Sequence, residues 1–398
     1  MQINAKQGKY PIFQIAYLVI VCLFTSCEAS SQEETPLQTG SARFGEYLSL
    51  LEGKKVGLVV NQSSLVNGKH LVDTLLSQSV NIKSIFAPEH GFRGEAADGI
   101  TVEDGLDKAT GVPVWSLYGK NKKPTKEQLA ALDVVLFDVQ DVGTRFYTYL
   151  STMHWVMEAC AANNVPFIVL DRPNPNAGFV DGPILEMEHQ SIVGMHPIPV
   201  VHGMTLGELA QMINGEGWLE DRLVCNLTVV PVSGWTRTDR YSLPVRPSPN
   251  LPNDQAVNWY PSLCFFEGTT VSIGRGTDQP FTRIGHPDFK DATFSFTPQS
   301  RQESVYPKHE GKTCYGIDLY EMQAPDRIEL SYLIRYYQEL SSRDLPYFKK
   351  YFTRLAGTTK LQQQIESGLS EEAIRASWTE GLEQFKNKRA AYLIYQEK

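Results

Sequence analysis

Residues 55–175 alternate between short apolar runs and segments with helical spacing, and this alternation restricts the fold more than any other feature. Segments 70–78 and 144–163 carry apolar residues at helical intervals. Strands that are apolar almost throughout are typical of a parallel sheet with helices on both faces. The sequence therefore predicts an α/β fold with a Rossmann-like, mostly parallel sheet. The apolar runs that predict its strands cover residues 54–61, 82–86, 132–141 and 165–175, and a further strand is predicted over 225–232.

Two classes of partner are disfavoured by simple features of the sequence. No G-x-G-x-x-G motif follows the first strand, so the likeness to a Rossmann fold is architectural and does not indicate a dinucleotide cofactor. The formal net charge is −8, whereas a nucleic-acid partner requires a basic surface.

A proline-rich stretch separates the predicted sheet from the rest of the chain. Five prolines over residues 235–261 prevent regular structure through most of that stretch. The remainder mixes short β-like segments with two helices near the end. We therefore expect a Rossmann-like domain over residues 42–253 and a smaller α+β auxiliary domain over residues 254–398 that completes a cleft.

The first residues are typical of an exported lipoprotein. Two lysines precede an apolar run over residues 12–24, which is too short to span a membrane and matches a signal-peptide core. The run ends at Cys27 in a pattern that resembles a bacterial lipobox. We expect a signal peptide over residues 1–26, a lipidated Cys27 and a flexible tether over residues 27–41. This predicts a bacterial cell-envelope protein that meets the membrane, in the outer membrane or periplasm, only through its lipid anchor.

Ionisable residues framed by glycine and proline follow the predicted strand over residues 82–86. Pro88 cannot extend a ladder of hydrogen bonds, because it has no N–H to donate, and Glu89, His90 and Arg93 come directly after it. In an open α/β sheet, ligands bind outside the carboxyl ends of the strands. Glu89 is therefore the first candidate for a functional carboxylate.

Other strand ends and loops repeat this pattern. Asp138 follows an apolar run, so its carboxylate should lie at the same edge of the sheet as Glu89. Two carboxylates that face one cleft are what glycoside hydrolysis requires, one protonated and one ionised. Asp171 and Arg172 can instead form a structural ion pair. The polar residues in comparable positions are Asn61, Gln62, Asp138, Asp141, Arg145, Asp171, Arg172, Asn174, His202, Arg275 and Asp278.

Metal-dependent and serine-dependent hydrolysis are the alternatives to weigh. A metal site would need two carboxylates and a histidine, but no H-x-x-x-H or H-x-H spacing supports one. No G-x-S-x-G elbow is present for a serine nucleophile. The residues that would supply a metal site are Asp138, Asp141, His90 and His202.

Tyr147, Tyr149 and Trp155 fall on the apolar face of a predicted helix and are expected in the core.

Seven segments occur together in a fixed order that matches a known family. They are FAPEHGFRG (86–94), FDVQDVGTRFYTY (137–149), VLDRPNPNAG (169–178), VDGPIL (180–185), VHGMTLGELA (201–210), PSPNLPN (247–253) and FEGTTVSIGRGTDQPF (266–281). On these motifs the chain closely resembles the NamZ family of exo-β-N-acetylmuramidases over residues 42–398.

The resemblance implies a catalytic cleft near the interface of two domains and an activity that needs no cofactor and no metal. That activity removes N-acetylmuramic acid from the non-reducing end of peptidoglycan fragments, in cell-wall turnover or recycling. It also implies that Glu89 is the leading catalytic residue, which we expect to act as general acid. A second carboxylate, from Asp138, Asp141 or Glu186, is then expected as base or partner.

The resemblance also suggests substrate contacts. A guanidinium suits the lactyl carboxylate of N-acetylmuramic acid, because its planar fork of donors matches two oxygens. The residues expected to contact the substrate are Arg93, Arg145, Arg172, Arg275, His90, Asn174, His202 and Asp278. A cell-surface lipoprotein that binds glycans without cleaving them, or a metal-dependent hydrolase, are the alternative functions.

Overall fold

The structure is a computed structural model that describes residues 1–2, 8, 36–92, 104–119 and 121–396. The chain divides into two units, Met1–Thr35 and Pro36–Lys398, and the second contains nearly all of the described residues. The predicted signal peptide and Cys27 lie almost wholly outside the described residues. No described helix is both long enough and apolar enough to span a membrane.

Twelve strands and eleven α-helices are present in the described part of the chain. The strands are β1 (Lys55–Val60), β2 (Leu65–Val66), β3 (Lys69–His70), β4 (Asn81–Ala87), β5 (Gly105–Leu106), β6 (Pro113–Ser116), β7 (Val134–Asp138), β8 (Phe167–Leu170), β9 (Leu227–Val230), β10 (Arg283–His286), β11 (Phe294–Phe296) and β12 (Cys314–Asp318). The helices are α1 (Phe44–Tyr47), α2 (Leu71–Ser77), α3 (Lys126–Ala130), α4 (Tyr149–Ala162), α5 (Leu206–Gly215), α6 (Asp254–Leu263), α7 (Ser331–Ser341), α8 (Tyr351–Ala356), α9 (Lys360–Glu366), α10 (Glu371–Ala376) and α11 (Thr379–Arg389).

The main sheet has seven strands in the order β5-β6-β4-β1-β7-β8-β9. All neighbours from β6 to β9 are parallel, and β5 alone is antiparallel. Leu58 on the central strand lies opposite Ile85 on one side and Leu136 on the other. The prediction of a mostly parallel sheet is confirmed, and β5 and β6 are strands that the apolar runs did not indicate.

Helices cover both faces of this sheet. Neighbouring residues of each strand point to opposite faces and therefore enter different cores. Val59, Phe86 and Phe137 pack in the larger core with residues of α4 and α5. Leu58 and Ile85 pack in the smaller core with residues of α1 and α2. The strands are consequently buried on both sides, as their continuous apolar character requires.

The helix predicted over residues 144–163 begins later, at Tyr149. The preceding segment pairs with another loop instead, since the Arg145 N–H donates to the Val200 carbonyl (2.8 Å). Gly143, with φ of +80°, makes the turn that directs the chain there. Tyr147 therefore lies before the helix to whose apolar face the sequence assigned it.

The C-terminal part of the chain, from α6 onwards, is a small α+β structure that shares a core with the main sheet. The segment that precedes it and contains the main sheet is called the first part. Strands β10, β12 and β11 form an antiparallel sheet in that order, and α6–α11 belong to the same part of the chain. Phe265, Phe266 and Phe352 from this part belong to the same core as Met153 of α4. The predicted smaller α+β part is thus present, and the two parts are joined by apolar packing.

The Arg145 side chain links the two parts at a buried position. Its guanidinium donates to the carbonyls of Pro183 (2.7 Å) and Ile198 (2.9 Å), and to those of Leu355 (3.0 Å) and Ala356 (2.8 Å) in α8. Burial lowers the pKa of Arg145 to about 9. The arginine therefore holds α8 against loops of the first part.

Replacing Arg145 with methionine should destabilise the protein by at least about 3 kcal/mol, because several buried carbonyls lose their donors at about 1–3 kcal/mol each. Urea unfolding followed by fluorescence measures this loss. Arg335→Met is the matched control, since Arg335 pairs with Asp291 at the surface and its loss should cost less than about 1 kcal/mol. Equal stability of the two variants would contradict the role given to Arg145.

Candidate active site

A cavity of about 470 Å³ lies among residues of both parts of the fold. Its volume is in the range of small-molecule sites. The first part contributes the turn after β4 and the segment before α4, and the second part contributes α8 and several loops. Residues that line the cavity include Glu89, His90, Tyr118, Phe146, Tyr147, Thr148, Ser248, Tyr260, Glu267, Arg275, Phe281, Tyr306 and Tyr351.

Glu89 reaches the cavity from a tight turn at the carboxyl end of β4. His90 and Gly91 both have positive φ, and the Gly91 N–H donates to the Pro88 carbonyl (3.0 Å). The Thr148 hydroxyl donates to Glu89 Oε2 (2.7 Å), which fixes the orientation of a half-buried carboxyl group. The position predicted for Glu89, at a strand end facing a cleft, matches its place in the structure.

Glu267 brings a second carboxyl group to the cavity from the C-terminal part. It lies in the 3-10 helix Cys264–Gly268, and Arg275 Nε donates to its Oε1. The Lys308 ammonium lies 3.9 Å from Glu267 Oε2. Two cationic side chains thus flank the Glu267 carboxylate and favour its ionised form.

Arg275 and Lys308 are themselves held in place. The Arg275 guanidinium lies 5.1 Å from the centre of the Phe281 ring, in a cation–π contact. Lys308 donates to the carbonyls of Phe266 (2.7 Å) and Val271 (3.2 Å). Burial lowers the pKa of Lys308 to about 8. The cationic surroundings of Glu267 are therefore fixed by the fold.

Tyr351 lies near both carboxyl groups. Burial, together with the nearby Cys264, Glu267 and Glu89, raises the pKa of Tyr351. Because Tyr351 begins α8, the helix held by Arg145 contributes directly to the cavity wall. Glu89 and Glu267, which come from different parts of the fold, thus flank one tyrosine.

Asp138 and Arg172 form a buried ion pair and do not line the cavity. Arg172 Nε and Nη2 lie 2.5 Å and 2.9 Å from the two carboxylate oxygens of Asp138, which is 0% exposed. The expected pair of Asp171 with Arg172 is replaced by this one. Asp171 instead accepts from the Thr205 hydroxyl (2.7 Å) at the start of α5.

Three more predicted residues are buried in loops near the sheet and are likewise absent from the cavity lining. The Gly143 N–H donates to Asp141 Oδ1 (2.6 Å), and Asn174 Nδ2 donates to the Met204 carbonyl (2.9 Å). His202 Nδ1 accepts from the Met204 N–H (3.2 Å). Burial and neighbouring arginines lower the pKa of His202 to about 3, so its ring is neutral. These side chains stabilise loops.

Glu186 and Asp278 form ion pairs away from the cavity lining. Glu186 Oε1 lies 2.7 Å from Lys360 Nζ, and this hydrogen bond lowers the pKa of Glu186. Asp278 Oδ1 lies 2.7 Å from Arg283 Nη1. Among the described residues, Glu186, Glu188 and His189 form a group that could hold a metal ion, but none of them lines the cavity.

The arginines predicted to bind substrate have different positions. Arg275 lines the cavity, whereas Arg145 and Arg172 are committed to the buried contacts described above. Arg93 lies outside the described residues. His90 also lines the cavity.

The sequence interpretation missed Glu267, Thr148 and Tyr351. Glu267 follows Phe265 and Phe266 within the family motif at residues 266–281, so an acid after an apolar run was available as a signal. Nothing local indicates Thr148 or Tyr351, because their positions depend on tertiary packing. Tyr147 packs in the core, as predicted, and also lines the cavity.

Three glutamates, Glu89, Glu267 and Glu303, and Arg275 line one aromatic-walled cavity, a set of side chains that suits a glycoside hydrolase. The family model described as exo-β-N-acetylmuramidase NamZ, N-terminal, matches residues 56–255, and its C-terminal counterpart matches residues 258–395. The chain therefore belongs to the NamZ family of exo-β-N-acetylmuramidases.

Individual relatives agree with this assignment. The chain is 42% identical over 384 residues to the peptidoglycan β-N-acetylmuramidase NamZ of Bacillus subtilis, covering 90% of this chain and 91% of that protein. A solved DUF1343 family protein from Bacteroides fragilis has a TM-score of 0.85 at 42% identity, covering 92% of this chain and 100% of that one. Another from the same organism has a TM-score of 0.78 at 30% identity, covering 90% and 99%.

Asp141 should make stability fall as pH rises. Burial raises the pKa of Asp141 from 3.8 to about 7. Between these values the unfolded chain releases the proton that the folded protein keeps, so the free energy of unfolding decreases until about pH 7 and then levels off. Asp141→Asn should remove this contribution, which is measured as the difference in urea unfolding between wild type and variant from pH 4 to 8. Asp344→Asn, at an exposed carboxyl group, controls for the lost charge. If the difference in free energy of unfolding between wild type and Asp141→Asn did not change with pH, the expectation would be contradicted.

Proposed function

We propose that this protein is an exo-acting β-N-acetylmuramidase that releases N-acetylmuramic acid from the non-reducing end of peptidoglycan fragments in cell-wall turnover or recycling. The observation that carries the proposal is that Glu89 and Glu267 line one cavity in a NamZ-family fold. The family assignment supports the substrate class, and the cavity supports the reaction type.

Glu89 acts as the general acid in this proposal. Its proton passes to the glycosidic oxygen while the bond between that oxygen and the anomeric carbon breaks. The hydrogen bond from Thr148 orients the carboxyl group, and Phe146 and Tyr147 line the same cavity.

Glu267 acts as the second, ionised carboxylate. The ion pair with Arg275 and the nearby Lys308 keep it charged, which suits either activation of water or direct attack on the anomeric carbon. Water finally supplies a hydroxyl group to that carbon and a proton to the enzyme. The products are N-acetylmuramic acid and a saccharide shortened by one residue.

Arg275 is positioned to bind the lactyl carboxylate of the substrate. Arg275 lines the cavity, and the planar fork of donors on a guanidinium matches the two oxygens of a carboxylate. Such a contact would distinguish N-acetylmuramic acid from N-acetylglucosamine, which has no lactyl group.

We further propose that the chain is anchored to the cell envelope by lipid at Cys27, which the lipobox-like pattern supports.

Glu89→Gln should lower turnover of a chromogenic β-N-acetylmuramide by about 10²–10⁴-fold, because the amide cannot donate the proton. The β-N-acetylglucosaminide with the same leaving group is the substrate control, and we expect the wild type to cleave the muramide alone. Glu188→Gln is the control variant and should keep wild-type turnover, as should wild type treated with a chelator. Wild-type turnover by Glu89→Gln would remove Glu89 from the mechanism.

Glu267→Gln should lose turnover by a similar factor, because glutamine can neither activate water nor attack the anomeric carbon. An unchanged unfolding midpoint separates this effect from misfolding. Turnover by Glu267→Gln within threefold of wild type would contradict the role assigned to Glu267. Binding of saccharides by the wild type without any product over days would overturn the enzymatic proposal itself.

A further inference from the structure

The segment over residues 299–307 presents an exposed aromatic ring at the cavity. Tyr306 is 90% exposed and Val305 is also exposed, yet both line the cavity that contains Glu89 and Glu267. These side chains therefore lie where the cavity opens to solvent. An exposed tyrosine beside a ligand site offers a flat apolar face with a polar tip, which suits contact with a saccharide.

Backbone and side-chain hydrogen bonds hold this segment in place. Arg301 and Ser304 exchange backbone hydrogen bonds (3.0 and 3.1 Å). The Ser300 hydroxyl donates to the Val305 carbonyl (2.8 Å), and Asn250 Nδ2 donates to the Glu303 carbonyl (2.7 Å). A backbone that is already ordered in this way loses little conformational freedom when a ligand binds.

The segment is also attached to the loops that carry the second carboxylate. The Gln299 N–H donates to the Gly276 carbonyl (2.9 Å), next to Arg275. Lys308, just beyond the segment, donates to carbonyls of the Glu267 region. The backbone that carries Tyr306 is therefore fixed relative to Glu89 and Glu267.

The placement of the two carboxyl groups inside the cavity determines where each side of the substrate must lie. An exo-acting enzyme encloses one terminal sugar, and the scissile bond lies between its carboxyl groups. The sugar on the other side of that bond must leave through the opening. It passes the residues exposed there, and among the described residues that line the cavity Tyr306 has the most exposed ring.

We propose that Tyr306 forms the leaving-group subsite, where its ring stacks on the apolar face of the N-acetylhexosamine attached to the departing oxygen. This inference rests on the proposed function and adds to it the side of the substrate that is released. It assigns to Tyr306 a specificity role: the ring favours a saccharide leaving group over a small one.

The test compares two substrates that share the cleaved sugar. One is N-acetylmuramic acid linked β-1,4 to N-acetylglucosamine, and the other is the methyl β-glycoside of N-acetylmuramic acid. Release of N-acetylmuramic acid is measured by chromatography for wild type, Tyr306→Ala and Tyr306→Phe. Tyr315→Ala, at an exposed tyrosine of β12 that does not line the cavity, is the matched control.

We expect Tyr306→Ala to lower kcat/KM for the disaccharide about tenfold relative to kcat/KM for the methyl glycoside, mainly through KM. A tenfold change corresponds to about 1.4 kcal/mol. Tyr306→Phe keeps the ring and should keep the wild-type ratio, as should Tyr315→Ala.

An unchanged ratio in Tyr306→Ala, including equal losses on both substrates, overturns the inference while leaving the proposed function intact. A wild type that cleaves neither substrate overturns the proposed function and this inference with it.

Discussion

The contact of Arg145 with four backbone carbonyls is the interaction on which the active-site geometry depends. The guanidinium is fully buried, and its acceptors belong both to loops of the first part and to α8 of the second. Leu355, one of the residues whose carbonyl it binds, also lines the cavity. Arg145 therefore sets the distance between the two walls without touching a ligand.

Other buried charges reinforce this junction. Asp181 binds Arg375 of α10 through both carboxylate oxygens (2.9 and 3.1 Å). Glu208 at the start of α5 binds Arg237 and also accepts from the N–H groups of Ile394 and Tyr395 near the chain end. Buried ionic groups of this kind are costly unless every partner is present. The arrangement thus favours one relative placement of the two parts.

The sheet could be predicted from the sequence because the pattern that identifies each strand is local. Each central strand is a continuous apolar run, and such a run identifies both the strand and its burial on two faces. Glu89 could be predicted for a related reason, since the carboxyl end of a strand and a tight turn are visible in sequence. Whether a side chain at that edge faces the cavity depends on tertiary packing. Asp138 shares the edge, but Arg172 approaches it through tertiary packing and turns it into half of an ion pair.

The residues that the sequence did not reveal depend on how distant segments dock. Glu267 lines the same cavity as Glu89 although it comes from the C-terminal part of the chain. The irregular segment before α4 was predicted as helix because its apolar spacing is helical, but pairing with the loop at Val200 was stronger than local propensity. Phe146, Tyr147 and Thr148 reach the cavity as a result.

The division of the cavity between two parts of the chain also determines when the cavity is completed during synthesis of the protein. Glu89 and Glu267 are far apart along the chain, and Tyr351 follows later still. A nascent chain that has completed the sheet has one wall of the cavity and a single carboxyl group in it. The complete cavity therefore forms only after the C-terminal helices have been made and have packed against the sheet.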